Sequence, residues 1–301
     1  MTGELQADLM VLGAGPGGYT AAFRAADLGK RVVLVERHST LGGVCLNVGC
    51  IPSKTYLHMA DVIDSASELR GAGIDFGEPR LDLTAIRARK NAVVETLTRG
   101  LAGLARQRGV RVLTGVCSLV SANRISVQSA DGMSFVAFDS AIIAAGSRAT
   151  RIPGLPDRDP RLMDSTAALE IGEIPKRLLV IGGGVIGLEM ATIYAALGSE
   201  ITVVELLDSL LAEADPELVR PLEKRIRKRY AAVLLGTRVT GIEARDEGLR
   251  VSFSGKEAPP SGLFDRVLLA VGRTPNGAGI GAERALSLIH ISEPTRLELA
   301  A

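Results

Sequence analysis

Tryptophan is absent from this sequence, and aromatic residues make up only 3% of it. That leaves few rings on which nucleic-acid bases could stack. Cysteine occurs three times in 301 residues, too sparsely for a secreted scaffold held by disulfides. Charge of one sign is lacking too: 35 basic and 34 acidic residues give a formal net charge of +1. No electrostatic case for a nucleic-acid or membrane partner follows from that balance. No apolar run reaches the ~18 residues of a membrane-spanning helix. The first eight residues carry no basic stretch ahead of a long apolar one, so no secretory leader is expected. These absences predict a soluble protein of a reducing, cytoplasmic compartment. What the chain does have is apolar surface, at 47% hydrophobic residues, enough to offset the entropy of ordering a core. Its length suggests about two domains. It also has 34 glycines, many of them in two clusters.

The first cluster is Gly13-Ala14-Gly15-Pro16-Gly17-Gly18. It follows a short apolar run, residues 7–12, and opens a helical pattern that stops at Leu28-Gly29. A β-branched run over residues 31–35 then ends in Glu36. The second cluster, Gly182-Gly183-Gly184-Val185-Ile186-Gly187, repeats this plan. Residues 178–181 lead into it, a helix runs to Leu197-Gly198, and residues 201–204 end in Glu205. Gly13/Gly182, Gly15/Gly184, Gly18/Gly187, Gly29/Gly198 and Glu36/Glu205 are each 169 residues apart. One G-x-G-x-x-G is weak evidence; five positions repeating at one offset in one strand–turn–helix–strand context are strong evidence. The first glycine permits a tight turn, the second lets backbone approach a pyrophosphate, and the third lets helix pack on strand. The helix N-terminus supplies N–H groups for phosphates, and the acid accepts hydrogen bonds from ribose hydroxyls. The chain therefore reads as α/β, with two Rossmann-like dinucleotide-binding domains.

Elsewhere, residues 84–108 read as a long helix capped by Thr84, with an apolar stripe of Val93, Val94, Leu97, Leu101 and Leu104. Residues 110–140 read as short strands and turns. A strand over 141–145 enters Gly146-Ser147, and Pro153, Pro156 and Pro160 punctuate a linker. A charged helix is expected over 216–229, with Pro216 in its first turn. Strands are expected over 239–242, 249–253 and 267–270, and a turn over Gly272-Arg273-Thr274-Pro275-Asn276.

Shortly after the first acid comes Gly42-Gly43-Val44-Cys45-Leu46-Asn47-Val48-Gly49-Cys50-Ile51-Pro52-Ser53-Lys54. Two cysteines with this spacing can close a disulfide if the loop bends onto a helix start. Two rival readings stand beside it: a metal site recruiting His38 and His58, and two buried thiols. The flanking glycines, the lysine and the adjacent dinucleotide unit favour a redox pair, in which one thiolate exchanges with a substrate dithiol and the other faces an electron acceptor. Passing two electrons from a disulfide to a nicotinamide needs an intermediary, and a flavin is the natural one. FAD then belongs to the first site, which the cysteines follow closely, and NAD to the second. Cys117 reads as a core residue whose backbone alone touches a cofactor.

The cysteine motif closely resembles that of the pyridine nucleotide–disulfide oxidoreductases. Gly13 to Tyr19, Ala145-Gly146-Ser147, Gly187-Leu188-Glu189 and Ala270-Val271-Gly272-Arg273 support the likeness, which runs from about residue 7 to about 285. The branch it most resembles oxidises protein-bound dihydrolipoamide with NAD⁺. The resemblance implies that Cys45 is the thiol exchanging with lipoamide, and Cys50 the thiol against the flavin. Lys54 would lie near the flavin's hydride-accepting nitrogen in a buried ion pair with Glu189. Glu36, Arg37, Gly42, Gly43, Val44 and Cys45 would line the adenosine and pyrophosphate path. The second glycine cluster, Glu205 and residues 270–273 would hold NAD. Implied partners are a second copy of the chain and the lipoyl domains of a 2-oxo-acid dehydrogenase acyltransferase. Other branches, which reduce mercuric ion or glutathione disulfide, favour NADPH, against which Glu205 argues.

The same resemblance implies a C-terminal dimerisation domain bearing a His–Glu pair, and a later Gly-Asp flavin contact, none of which this sequence contains. His290, with Glu293 beyond it, does not match the family's base motif. Residues 286–301 resemble a translated sequencing adapter and are expected to be non-native. As it stands, the chain would then be a cofactor-binding fragment that does not turn over. The expected division is a FAD-binding domain over 1–147, an NAD-binding domain over 148–275, and the start of a return to the first domain over 276–285.

A 2′-phosphate beside Glu205 sets like charges together, which costs up to about 4 kcal/mol at ~4 Å and an effective dielectric of about 20. The complete protein is therefore expected to use NAD more efficiently than NADP, and Glu205→Arg to relax that preference. The ratio of kcat/KM for the two cofactors reads this directly, and a wild-type preference for NADP would refute it.

Overall fold

Strands of a parallel sheet covered on both faces read as unbroken apolar runs. Two such runs, Val-Val-Leu-Val before Glu36 and Leu-Leu-Val-Ile before Gly182, form central strands of the two largest sheets. The computed structural model describes residues 4–156, 158–256 and 258–285; the 286–301 tail and His290 lie outside them. Along the chain the elements are β1 (Leu5–Leu12), α1 (Pro16–Asp27), β2 (Val32–Glu36), α2 (Gly43–Val48), α3 (Cys50–Arg70) and α4 (Leu83–Gln107). Then come β3 (Arg111–Thr114), β4 (Val116–Ser121), β5 (Arg124–Ser129), β6 (Gly132–Ile143), β7 (Ser147–Ala149) and β8 (Leu162–Met163). The next are α5 (Ser165–Ala168), β9 (Arg177–Ile181), α6 (Val185–Ala196), β10 (Glu200–Val204) and α7 (Pro216–Arg229). The last are β11 (Ala232–Leu234), β12 (Arg238–Arg245), β13 (Gly248–Ser254), β14 (Ser261–Phe264), β15 (Arg266–Leu269) and β16 (Arg273–Pro275).

These elements form two compact units. One takes the described residues up to 51, with 93–148 and 274–285; the other takes 52–92 and 149–273. Residues 52–92, which the sequence reading puts within 1–147, pack with the second unit because Tyr56, Leu57, Met59, Ile63, Leu83 and Ile86 join its core.

The sheet of the first unit runs β3-β2-β1-β6-β5-β4, and that of the second runs β11-β10-β9-β15-β8. In each, four strands are parallel in the same order, with α1 or α6 as the first crossover. The duplication read from the glycines is thus a duplication of sheet order. Each unit adds antiparallel strands: β4 and β5 extend the first sheet, while β12, β13 and β14 make a separate one. Strand alternation divides each core in two. Val32 and Leu34 face the α1 side, whereas Val33 and Val35 face the β4–β5 side. Leu178 and Val180 face the α6 side, whereas Leu179 and Ile181 face the three-stranded sheet.

Four local expectations need correction. Asp82, not Thr84, caps α4, because its carboxylate accepts from the N–H groups of Thr84 and Ala85 at 2.9 and 3.1 Å. The buried stripe of α4 is turned by one residue: Lys90, Thr98 and Ala105 are buried, whereas Leu97 and Leu104 are exposed. The strand expected over 141–145 is the end of β6 and stops at Ile143, leaving Ala144 free to lie over Gly13. The expected turn over 272–276 holds a strand, β16, which pairs with β7.

Helix α1 sits so close to its turn that a Cβ on Gly18 would lie 1.7 Å from the carbonyl oxygen of Gly13, whereas one on Gly17 would meet nothing within 4 Å. Gly18→Ala should therefore destabilise the chain by about 2 kcal/mol or more, and Gly17→Ala by less than about 0.5 kcal/mol. Thermal unfolding of the two variants measures the contrast; equal melting temperatures would contradict it.

Candidate functional site

In the first unit, Gly13 (φ +94°) turns the chain under Ala144, whose carbonyl oxygen lies 2.2 Å from where a Cβ would be. Glu36, at the tip of β2, braces this turn. Its Oε2 accepts the Ala14 N–H at 2.8 Å, and its Oε1 the His38 N–H at 3.0 Å. The second unit repeats the arrangement at the same offset. Glu205 accepts the Gly183 N–H at 2.6 Å and the Leu207 N–H at 2.9 Å, and Gly182 (φ +111°) turns under the carbonyl of Ala270. Sequence reasoning assigned the two acids to ribose and missed their bonds to the turn. A carboxylate has about four lone-pair positions, so each retains acceptor capacity for sugar hydroxyls. Arg37, which follows Glu36, donates from Nε to His38 Nε2 at 3.1 Å.

Both helices that leave these turns begin at glycine, Gly15 or Gly184, with no side-chain cap. A Cβ on Gly184 would meet nothing within 4 Å, and one on Gly15 only the Gly43 Cα, at 4.0 Å. The first-turn N–H groups thus face space that a side chain would fill, and a pyrophosphate fits that chemistry.

Helix α2 is docked onto the first turn. The Gly42 N–H donates to the Ala14 carbonyl at 2.8 Å. Gly43 (φ +58°) comes so near Gly15 that a Cβ would lie 2.7 Å from its Cα. Asn47 ties the segment together by donating to the Leu41 and Gly43 carbonyls at 3.1 and 2.9 Å. Cys45 is half-buried in α2, and Cys50 is the exposed first residue of α3. Between the two helices, Gly49 passes so close that a Cβ would lie 2.8 Å from the Val44 carbonyl oxygen and 3.3 Å from the Cys45 Cα. That passage keeps the two cysteines near each other. Among the described residues, no group of three or more His, Cys, Asp or Glu is placed to hold a metal ion.

Cys117 lies in β4, buried in the core that backs β1 and β2. Burial pushes its thiol up to about 12. An unfolded thiol ionises near 8.5, so stability is retained below that value and falls as pH rises through this window. Downstream of β6, the Asn276 N–H donates to the Gly146 carbonyl at 2.9 Å, and its Nδ2 to that of Ala145 at 3.0 Å. These bonds hold the loop that enters Ser147 and give Asn276, which the sequence placed only in a turn, a structural role.

In the second unit, Lys54 Nζ lies 2.7 Å from Glu189 Oε1. The pair expected from sequence forms, but it is not buried, since the Lys54 side chain is 59% exposed. Lys54 stands in the first turns of α3, and an ion pair with so exposed a partner contributes under about 1 kcal/mol. Glu189 Oε2 also accepts from the buried hydroxyl of Ser53 at 2.9 Å, a partner that sequence reasoning missed. After β15, the Ala270 N–H donates to the Ile181 carbonyl at 2.8 Å, and Gly272 accepts from the Thr150 N–H at 3.1 Å. Val271 stands exposed between them, and Arg273 begins β16.

Two parallel α/β units thus share one glycine-turn architecture, and one of them is closely joined to a cysteine pair. The chain belongs to the pyridine nucleotide-disulphide oxidoreductases, whose family pattern matches residues 7–290. It is 51% identical over 286 residues to the dihydrolipoyl dehydrogenase of Vibrio cholerae, covering 95% of this chain and 60% of that one. It is 50% identical to the dihydrolipoyl dehydrogenase of Haemophilus influenzae over the same shares. Among solved structures, it is similar to the HOCl-induced flavoprotein disulfide reductase RclA of Escherichia coli, with a TM-score of 0.77 and 27% identity over 92% of this chain and 59% of that one. A Cu(II) complex of the same reductase gives a TM-score of 0.78 at 27% identity, over 94% and 60%. The chain thus spans about 60% of the length of the curated relatives it matches.

After reduction, iodoacetamide at pH 8 should alkylate exposed Cys50 in the folded chain and leave buried Cys117 untouched until denaturant is added. Peptide mass spectrometry reads both sites; early labelling of Cys117 would contradict its place in the core.

Proposed function

We propose that the protein to which this chain belongs oxidises protein-bound dihydrolipoamide to lipoamide and reduces NAD⁺. The observation that carries this reading is the docking of α2 on the first glycine turn, which ties Cys45 and Cys50 to a dinucleotide cradle. The identity with dihydrolipoyl dehydrogenases supports it. On this reading, Gly13, Gly15, Pro16, Gly17, Gly18, Glu36, Arg37, Gly42, Gly43 and Val44 receive FAD, with Ala145–Ser147 and the Cys117 backbone beside it. Gly182–Gly187, Glu205 and residues 270–273 receive NAD.

A thiolate of dihydrolipoamide attacks Cys45 Sγ, the Cys45–Cys50 bond breaks, and Cys50 leaves as thiolate. The second substrate thiolate then closes lipoamide and releases Cys45. FAD, when bound, supplies the two-electron link between the sulfur couple and the nicotinamide. Lys54 presents its charge near Cys50 in sequence, held by Glu189. Glu36 and Glu205 keep the cradle N–H groups aimed at the phosphates. The expected setting is cytoplasmic, as a homodimer that meets lipoyl domains. Among the described residues, no helix is long and apolar enough to cross a membrane.

The full-length protein should reduce NAD⁺ with dihydrolipoamide, and Cys45→Ser or Cys50→Ser should abolish this. Turnover that survives loss of either thiol would sink the proposal. So would preferential reduction of mercuric ion or glutathione disulfide with NADPH.

A further inference from the structure

Glu189 is the sole charged residue of α6, and both its carboxylate oxygens are engaged by consecutive residues of α3. Ser53 Oγ donates to Oε2 at 2.9 Å, and Lys54 Nζ to Oε1 at 2.7 Å. The two donors differ in kind. Ser53 is 4% exposed, has one side-chain torsion and sits in the interface where α3 meets the α6 core. The Lys54 side chain is 59% exposed, long and flexible, so water screens its attraction to Glu189. A pair of that kind does not orient the carboxylate; the buried hydroxyl does. With Oε2 fixed by Ser53, Oε1 is left facing the ammonium and gives the lysine head an oriented acceptor.

We infer that Ser53 is a positioning residue: its hydroxyl sets the Glu189 carboxylate, and the carboxylate sets the Lys54 ammonium. The role of Lys54 in turnover rests on the proposed disulfide oxidoreductase reading, whereas the placement of its ammonium does not. Removing the hydroxyl loses one charge-assisted hydrogen bond and leaves the carboxylate free to rotate away from Lys54. The effect therefore passes through Glu189 and disappears when Glu189 no longer carries charge.

The test uses the full-length, flavin-loaded protein. Acylation of Lys54 by acetic anhydride, followed by peptide mass spectrometry, reports how well the ammonium is held without using the enzyme's activity. Ser53→Ala should raise the rate about two-fold, within what a solvent-screened ion pair can contribute. Ser53→Thr should restore the wild-type rate, and Ser53→Ala in a Glu189→Gln background should add nothing. In turnover, Ser53→Ala should lower kcat by a similar factor with both KM values unchanged. If Ser53→Ala folds poorly, Ser53→Cys, a weak donor of nearly the same volume, carries the same comparison. Unchanged Lys54 acylation in Ser53→Ala, with a faster rate in Glu189→Gln, would overturn the inference. Faster acylation with unaltered kcat would keep the link and remove its catalytic meaning. A wild-type protein that does not couple dihydrolipoamide to NAD⁺ would sink the proposed function alone.

Discussion

The first unit is organised around the peptide groups on either side of Ala14. The N–H of Ala14 is held by the Glu36 carboxylate and its carbonyl by Gly42. One short segment of backbone thereby joins the tip of β2, the start of α1 and the entry to α2. A buried hydrogen bond to a charged acceptor is worth roughly 1.5–3 kcal/mol, and more is lost if the donor is left without a partner. Gly13, Gly18 and Gly43 are glycines because a Cβ there would strike backbone, whereas a side chain on Gly15 would fill the open space at the start of α1. The cysteine pair inherits its position from the joint: α2 cannot shift without disturbing the turn beneath it.

The second unit copies the joint and also the attachment, since the Leu211 N–H donates to the Gly183 carbonyl at 3.1 Å, but it lacks the cysteines. Glu205 holds the Gly183 N–H as Glu36 holds that of Ala14, but the segment after Glu205 leads into α7 rather than a short helix bearing cysteines. One supersecondary unit thus serves two cradles, and the segment beyond the acid distinguishes them. The first acid is succeeded by the segment that carries the two cysteines, and the second by an exposed aliphatic pair, Leu206 and Leu207.

The parts legible in sequence are those where a backbone constraint admits few residue types. The glycine turns, the acids and the strands before them can be read because positive φ and close approach leave only glycine. Helix α7 is legible because Pro216 opens it and charged residues fill most of it. Less legible are features decided by a partner distant in the chain. Asp82 and Thr84 are both acceptable caps by type, and only the geometry of α4 selects Asp82. The β16 strand exists because β7 lies beside it. Ser53 carries no local signal, since its partner is 136 residues away. The exposure of Lys54 escapes a sequence reading because pairing and burial are separate properties, and a motif reports only the first.

Glu205 carries two loads at once. As the acid proposed to meet the adenosine sugar it would bear on selectivity, and as the acceptor for Gly183 and Leu207 it bears on the fold itself. A lineage or an engineer that retunes the dinucleotide preference at this position must also find another way to tether the loop. On that proposal, any change of selectivity made at Glu205 would also cost the loop a strut.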